Sequence, residues 1–253
     1  MNFFEKQPRI AFKSPGNTPF GLEKDHRFFI FIENQQGCGG NCDFAQVNRF
    51  FGIFLDGPAR MGVELKLQPI DWSSNILELN SGNIDCIWNG FTISDERKAE
   101  VNFSDPYMQN RQVVIVSGDS GITALSDLKG KTLCLQTGSS AADALAANAD
   151  FKASLGDVVE VNDNVTAFME LDGKTSDALL MDEIVAAYYI TQNKKDYVIL
   201  DESLADEEYG VGFRLGDNTL RDEVNSQLKA MAADGTLKKI SDTWFGKDVT
   251  VID

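Results

Sequence analysis

From residue 63 onward, short apolar segments alternate with segments of helical periodicity, and this alternation constrains the fold more than any other feature. V-E-L-K-L-Q-P-I alternates apolar and polar residues as a half-buried strand does. T-L-R-D-E-V-N-S-Q-L-K-A-M-A-A-D-G has the apolar spacing of an amphipathic helix and ends in glycine. Strands that alternate with helices over short connections predict an α/β architecture with largely parallel sheets.

The remaining segments continue the alternation. Further strands are predicted at I-D-C-I-W-N-G, R-Q-V-V-I-V, T-L-C-L-Q, D-V-V-E-V, D-A-L-L-M-D, Y-V-I-L and Y-G-V-G-F-R-L. Further helices are predicted at W-S-S-N-I-L-E-L-N-S-G, D-E-R-K-A-E, Ala141 to Asn148, N-V-T-A-F-M-E-L, E-I-V-A-A-Y-Y-I and T-L-K-K-I-S-D-T-W-F. Ligands of such sheets bind beyond the carboxyl ends of the strands. Three strand ends are therefore of interest: N-G-F-T, T-G-S-S and the end of L-L-M-D.

Composition narrows the class of partner. A chain of 253 residues with 43% hydrophobic and 25% charged residues has enough apolar mass for one large domain or two lobes. Its net charge of −16 argues against nucleic acid or an anionic membrane surface as partner, yet allows an anion at one local site. No segment has the roughly 18 consecutive apolar residues of a membrane span, and no signal peptide is recognisable. The protein is then either cytosolic or a mature form without its export signal.

The cysteines and the single histidine favour neither a metal site nor histidine-based catalysis. Cys38 and Cys42 lie in G-C-G-G-N-C and form either a small disulfide or two free thiols, since two loop cysteines alone do not supply a four-ligand zinc site. Cys86 and Cys134 lie in apolar segments and are expected in the core. His26 lies in a polar segment with no serine or cysteine motif beside it. We therefore expect no metal and no cofactor.

The segment N-G-F-T-I-S-D-E-R-K places one arginine just after an apolar strand. Arg97 is either a surface residue of a charged helix or a cation for a ligand carboxylate. Thr92 lies just past the strand end, where its hydroxyl and backbone N–H could join the guanidinium around one carboxylate. Asn89 and Gly90 offer backbone carbonyls at the same rim, as acceptors for an ammonium group.

Four further residues are candidates for the same site, each with a purely structural alternative. Ser139 and Ser140 begin a helix whose N–H groups point beyond the strand end, and they are otherwise plain N-caps. Asp182 is a candidate carboxylate or the N-cap of the next helix, and Trp72 is an aromatic wall or a core residue. An anion clamp, a carboxylate and an aromatic face together are what a zwitterionic amino acid requires.

At these residues the chain resembles the bacterial extracellular (periplasmic) solute-binding proteins for polar amino acids, family 3, of ABC importers. The resemblance runs from about Val63 to Phe245. The matching segments, in the family's order, are I-D-W-S-S-N-I-L-E-L-N-S-G-N-I-D-C-I-W-N-G, the stretch from Asn89 through F-S-D-P-Y, L-S-D-L-K-G-K-T-L-C-L-Q-T-G-S-S, L-L-M-D-E-I-V-A-A-Y, Y-G-V-G-F-R and D-G-T-L-K-K-I-S-D-T-W-F.

The resemblance implies a fold: a two-lobed, periplasmic-binding-protein-like (type II) α/β structure with two crossover strands and an amino acid in the cleft. Residues 1–113 would form the first part of lobe 1, residues 114–208 lobe 2, and residues 209–253 the return segment of lobe 1. Residues 21–60 depart from the family pattern. They carry no ligand role here, and Ser14 and Asn17 stay candidates without an assigned role.

The resemblance also implies the roles of the site residues. Arg97 would hold the ligand α-carboxylate, with the Thr92 hydroxyl and backbone and the backbone of Ser139 or Ser140. The α-ammonium group would bind to Asp182 and to the backbone carbonyl of Asn89 or Gly90. Trp72 would lie against the ligand side chain.

The expected function is that of a non-enzymatic, monomeric carrier. It would bind a free amino acid such as glutamine or cystine, with arginine also open, and deliver it to an ABC-transporter permease. It would be periplasmic or extracellular, with a lipid anchor of the full-length precursor left open. Two alternatives are a cyclohexadienyl-dehydratase-like enzyme, with Asp182 or a glutamate as general acid, and the ligand-sensing domain of a receptor.

Overall fold

The structure, a computed structural model, describes residues 27–33 and 52–252. Within these residues the strands form three sheets flanked by helices. None of the helices in this part of the chain is both long enough and apolar enough to cross a lipid bilayer. Outside the described residues lie Ser14, Asn17, His26, Cys38 and Cys42.

Most of the described elements follow the predicted alternation, but four were not predicted: Arg27–Glu33, Gly52–Met61, Val101–Phe103 and Ala149–Ser154. The strands are β1 (Arg27–Glu33), β2 (Glu64–Ile70), β3 (Val101–Phe103), β4 (Met108–Ser117), β5 (Thr132–Gln136), β6 (Asp157–Val161), β7 (Ala178–Asp182), β8 (Tyr197–Tyr209) and β9 (Gly212–Arg214). The helices are α1 (Gly52–Met61), α2 (Asn75–Asn80), α3 (Asp95–Lys98), α4 (Ser140–Ala147), α5 (Ala149–Ser154), α6 (Asn164–Asp172), α7 (Glu183–Asn193), α8 (Asn218–Ala233) and α9 (Thr236–Phe245). Short 3-10 turns cover Trp72–Ser74 and Leu125–Leu128.

The largest sheet has five strands in the order β6-β5-β7-β4-β8. β5 is parallel to β6 and β7, whereas β4 is antiparallel to both β7 and β8. The prediction of largely parallel sheets is therefore wrong for this half of the sheet. Since β4 leads the chain into this part of the molecule and β8 leads it out again, the two strands run in opposite directions.

Two strand predictions also need correction. The apolar segment at residues 84–88 forms no named strand but isolated bridge pairing, in which Ile87 and Gly212 exchange backbone hydrogen bonds of 2.8 and 2.9 Å. Its apolar character reflects complete burial, since Ile87 and Trp88 are both 0% exposed. Y-V-I-L proved to be only the start of the 13-residue strand β8, whose charged second half is held by pairing with β4.

Helix α1 contains Gly57 and Pro58 in its interior, although neither residue type favours a helix. Proline lacks the N–H that the ladder requires, which removes one intrahelical hydrogen bond. The helix ends soon afterwards at Met61, and the backbone N–H of Val63 donates to the carbonyl of Pro58 at 3.2 Å. The helix therefore tolerates the proline.

The core is divided between two regions. One set of buried apolar clusters uses residues from 114 to 200. The other uses residues from 61 to 108 together with residues from 209 to 249, joined by Ile184. Helix α8 shows how the pattern works, because Val224, Leu228 and Met231 form one buried stripe at helical spacing.

Gly212 gives a test of this packing. A Cβ atom at this position would lie 2.7 Å from Cε1 of Phe91, which is fully buried and cannot move aside. We expect Gly212→Ala to lower the free energy of unfolding by about 1–3 kcal/mol. Gly118→Ala is the matched control, because its nearest atoms are the carboxylate of the exposed Asp196, and its effect should stay within about 0.5 kcal/mol. Urea denaturation measures both, and equal effects would contradict the packing.

Candidate functional site

Arg97 is held in one orientation by its own helix turn. Ser94 begins α3, and its hydroxyl accepts a hydrogen bond of 3.2 Å from the backbone N–H of Arg97. The side chain turns back, so that Nη1 donates to the backbone carbonyl of Thr92 at 3.1 Å. The guanidinium carbon lies 4.8 Å from the ring centre of Phe91. This stacking leaves part of the planar donor fork for another partner.

The charge of Arg97 is nearly removed from water, since the residue is 8% exposed. Arg111 and Arg214 each form an ion pair with a carboxylate, but Arg97 forms none with any residue of the described chain. Burial lowers the pKa of the Arg97 guanidinium, while nearby carboxylates, first among them that of Asp143, act in the opposite direction. A buried cation is costly unless an anion meets it, so the position suits an anionic group of a ligand.

A chain of hydrogen bonds connects the segment before α3 to the first turn of α4. The hydroxyl of Thr92 donates to Oγ of Ser140 at 3.1 Å, and Nε2 of Gln112 donates to the same oxygen at 3.0 Å. These residues come from the segment after Trp88, from the helix after β5 and from β4. The two core regions therefore meet directly beside Arg97.

Asp182 ends β7 and takes the N-cap position of α7, yet its side chain does not cap that helix. Its Oδ1 instead accepts hydrogen bonds from Nδ2 of Asn110 at 2.6 Å, from Nε2 of Gln112 at 2.8 Å and from the hydroxyl of Tyr209 at 2.7 Å. Among the described residues, no amide or hydroxyl donor bonds to Oδ2. One carboxylate oxygen is thus fixed by the protein and the other is left for a further donor.

A second carboxyl, that of Glu207, joins this group. Its Oε1 accepts from Nδ2 of Asn110 at 2.5 Å and from Nε2 of Gln112 at 2.7 Å. Burial and the neighbouring charge of Asp182 raise the pKa of Glu207 to about 7. Asn110, Gln112, Asp182, Glu207 and Tyr209 are called the polar cluster below.

The polar cluster was missed in the sequence, apart from Asp182. Asn110 and Gln112 alternate along β4, immediately before the wholly apolar V-V-I-V, and Glu207 and Tyr209 alternate along β8 in the same way. Two polar residues at alternate positions normally face solvent, but Gln112 is 0% exposed. The available signal was the period-two placement of amide residues ahead of a buried strand.

Asn89 and Gly90 lie at the rim expected from the sequence. Both are partly exposed, and Gly90 adopts a φ of +59°, which favours glycine. A Cβ atom at Gly90 would lie 3.4 Å from the ring of Tyr209, whose hydroxyl bonds to Asp182. The backbone of Gly90 therefore lies beside the ring of Tyr209, a member of the polar cluster.

Ser139 and Trp72 are placed differently from the other candidates. The hydroxyl of Ser139 donates to the backbone carbonyl of Gln136 at 2.7 Å, and so turns back toward β5. Trp72 is 9% exposed and packs edge-on against Phe91 at 6.0 Å between ring centres. Trp72 therefore packs against Phe91, the ring over which Arg97 lies.

The structure thus brings together a buried cation, a carboxylate with one oxygen that accepts from no described amide or hydroxyl, and a rim of backbone groups, contributed by Arg97, Thr92, Asn89, Gly90, Ser140 and Asp182. Their roles toward a ligand stay predictions. In the described residues, no group of histidine, cysteine and acidic side chains is placed to hold a metal ion. The arrangement offers opposite charges at two ends of one site.

Comparison with known proteins gives a consistent result. Residues 56–247 match the family described as bacterial extracellular solute-binding proteins, family 3. The chain is 34% identical over 241 residues to the L-cystine-binding protein TcyJ of Escherichia coli strain K12, covering 94% of this chain and 86% of that protein. It is 32% identical over 247 residues to the glutamine-binding protein GlnH of Bacillus subtilis strain 168, covering 96% and 86%.

A solved structure shares the fold. It is an ABC uptake transporter substrate-binding protein from Streptococcus pneumoniae with bound histidine. The two structures have a TM-score of 0.78 and 32% sequence identity, covering 89% of this chain and 94% of the other.

Proposed function

The chain belongs to the bacterial extracellular solute-binding proteins, family 3, and on that premise we propose that it binds a free polar amino acid and delivers it to the permease of an ABC importer. The proposal rests on two groups of opposite charge in the same site, the guanidinium of Arg97 and the carboxylate of Asp182. One offers a buried guanidinium without a carboxylate partner in the described chain, and the other offers a carboxylate oxygen without an amide or hydroxyl donor. A zwitterion matches both.

Each end of the ligand has its own set of groups. The guanidinium of Arg97 binds the α-carboxylate, with the hydroxyl or backbone of Thr92 and the backbone N–H groups that begin α4 at Ser139 and Ser140. Oδ2 of Asp182 and the backbone carbonyl of Asn89 or Gly90 accept the α-ammonium hydrogens. Trp72 lies against the ligand side chain.

We propose that the site lies between two lobes. Residues 1–113 and 209–253 form lobe 1, and residues 114–208 form lobe 2, with β4 and β8 as the crossover strands. The division of the core into two regions and the bond between Thr92 and Ser140 support this arrangement. A ligand that contacts both lobes favours the closed arrangement through those contacts alone.

The relatives narrow the ligand class without fixing one amino acid. TcyJ is named for cystine, GlnH for glutamine, and the pneumococcal protein contains histidine. The groups proposed here recognise the α-carboxylate and α-ammonium that all amino acids share. We propose glutamine or cystine as ligand, with arginine next.

An enzymatic alternative has lost its support. The family and the named relatives are binding proteins, not dehydratases. The raised pKa of Glu207 could suit a general acid, but its Oε1 is engaged by Asn110 and Gln112 inside the polar cluster. We propose that the protein acts as a monomeric carrier in the periplasm or outside the cell.

A screen of the twenty amino acids and cystine tests the proposal. A ligand that binds only the folded state raises the melting temperature, by an amount that grows with its concentration relative to its Kd. We expect at least one polar amino acid to do so and to bind in titration calorimetry with one ligand per protein. The corresponding compounds without the α-amino group are the controls and should have little effect. Absence of binding by every amino acid would refute the proposal.

A further inference from the structure

The polar cluster has more acceptors than hydrogens to satisfy them. Nε2 of Gln112 carries two hydrogens but lies within 2.7–3.0 Å of oxygens of Ser140, Asp182 and Glu207. At least one of those three oxygens therefore has no hydrogen of its own from Gln112 and has room for another donor. The other amide, that of Asn110, is already divided between the same two carboxyls.

The side-chain oxygen of Gln112 also lacks a hydrogen-bond donor among the described residues. Gln112 is 0% exposed, and no donor among the described residues bonds to its Oε1. A buried acceptor without a partner is costly, so a further donor at this place would be stabilising. Two kinds of donor would add a hydrogen to the polar cluster: a proton on one of the carboxyls, or an N–H of an ammonium group.

The charges around Glu207 favour one proton on the carboxyl pair when no cation is bound. Asp182 faces Glu207 from the end of β7, within hydrogen-bond reach, and two carboxylates this close resist ionising together. Tyr209 on the same strand is buried beside both, and its raised pKa keeps it protonated. Arg97 is a cation that interacts electrostatically with both carboxyls, without forming an ion pair with either.

We propose that Glu207 is a further residue of the ligand site, where it shares a proton with Asp182 in the ligand-free protein and releases that proton to solvent when the ammonium group of an amino acid binds. The inference rests on the proposed function for the identity of the ammonium. The exchange conserves charge: one proton leaves the carboxyl pair as one cationic group arrives. The pKa of about 7 that burial and Asp182 give to Glu207 places the exchange near neutral pH.

The sign of the pH dependence follows. Below a pH of about 7 the proton must be displaced before the ammonium binds, so affinity should fall by up to about tenfold per pH unit as the pH decreases. Above that range Glu207 is already ionised, and affinity should level off. L-arginine and L-glutamine are suitable probes, because neither side chain titrates between about pH 5 and 8.

Titration calorimetry in two buffers of different ionisation enthalpy counts the protons on the unaltered protein. Close to one proton should be released per bound ligand at about pH 6, and close to none at about pH 8. Glu207→Gln mimics the protonated carboxyl, so its affinity should not change with pH and should meet that of the wild type at low pH. Glu208→Gln, on the exposed neighbour in β8, should behave as the wild type.

A second measurement needs no ligand. Because the folded-state pKa of Glu207 is raised from 4.5 to about 7, stability from the bound proton is present at low pH and is lost as pH rises through that window. The unfolding equilibrium constant of the wild type, relative to Glu207→Gln, should therefore increase by up to about tenfold per pH unit across it.

The outcomes separate the two proposals. Ligand binding without proton release, with equal pH profiles for the wild type and Glu207→Gln, would overturn the exchange and leave the proposed function intact. If none of the twenty amino acids and cystine binds, the exchange fails together with the proposed function. Matching ligand-free stability profiles for the wild type and Glu207→Gln would show that Glu207 holds no proton, which also overturns the inference.

Discussion

Replacing Arg97 by alanine is expected to abolish amino-acid binding while the protein still folds. The lost interaction is a pair of charge-assisted hydrogen bonds in a site nearly closed to water, worth about 3–6 kcal/mol, or roughly two to four orders of magnitude in Kd. Folding should survive, because the side chain contributes one hydrogen bond to Thr92 and one contact with Phe91. Titration calorimetry gives the affinity, and circular dichroism gives the folded state.

Two further variants complete this test: one keeps the positive charge at residue 97, and the other is a control at a distant arginine. Arg97→Lys keeps the cation but lacks the planar fork, so it should recover only part of the affinity. Arg221→Ala is the matched control, since Arg221 is bonded to Asn102 and Asp222 away from the site and should leave Kd within about threefold of the wild type. A folded Arg97→Ala protein that binds its amino acid with unchanged affinity would remove the proposed carboxylate clamp.

Asp182→Asn should cause the second large loss, on the order of a hundredfold in affinity. Asparagine can still accept the hydrogen bonds that Asn110, Gln112 and Tyr209 donate to Oδ1. It places an amide NH₂ where Oδ2 lies, however, and this donor opposes the ligand ammonium. The binding energy is therefore lost at the ammonium end of the ligand.

A comparison of two ligands shows whether the loss of affinity in Asp182→Asn comes from the ligand ammonium group. The bound amino acid and the same compound without its α-amino group are titrated into the wild type and into Asp182→Asn. The wild type should prefer the amino acid strongly, and the variant should lose most of that preference, which a general structural defect would not produce. Glu183→Gln is the matched control, because the next carboxylate along α7 pairs with Arg111 outside the polar cluster. If both proteins prefer the amino acid equally, groups other than Asp182 bind the ammonium.

The element alternation and several site residues were predictable because their signals are local. An apolar segment that stops at a polar residue marks a strand end, and a serine before an acidic turn marks a helix start, as Ser94 does before Arg97. Such signals placed Asp182 at the end of a strand, and they placed Thr92 and Arg97 just after the apolar segment at 84–88. Where local signals were ambiguous, prediction failed: the apolar segment at 84–88 is buried without a strand ladder.

The polar cluster shows what local signals cannot give. Its hydrogen bonds join residues 70, 72, 95 and 97 positions apart in the chain. Nothing near Gln112 in sequence says that it is fully buried, because the strands that cover it come from other parts of the chain.

By itself, the sequence determined the α/β class, most helices and strands, and the strand end at which Asp182 lies, since periodicity and capping act within a few residues. The tertiary structure decided that β4 and β8 run antiparallel, that Arg97 is buried without an ion pair in the described chain, and that Glu207 faces Asp182. Pairing and burial depend on which distant segments share a surface. The electrostatics of a buried charge depend on those segments too, because they replace the water around it.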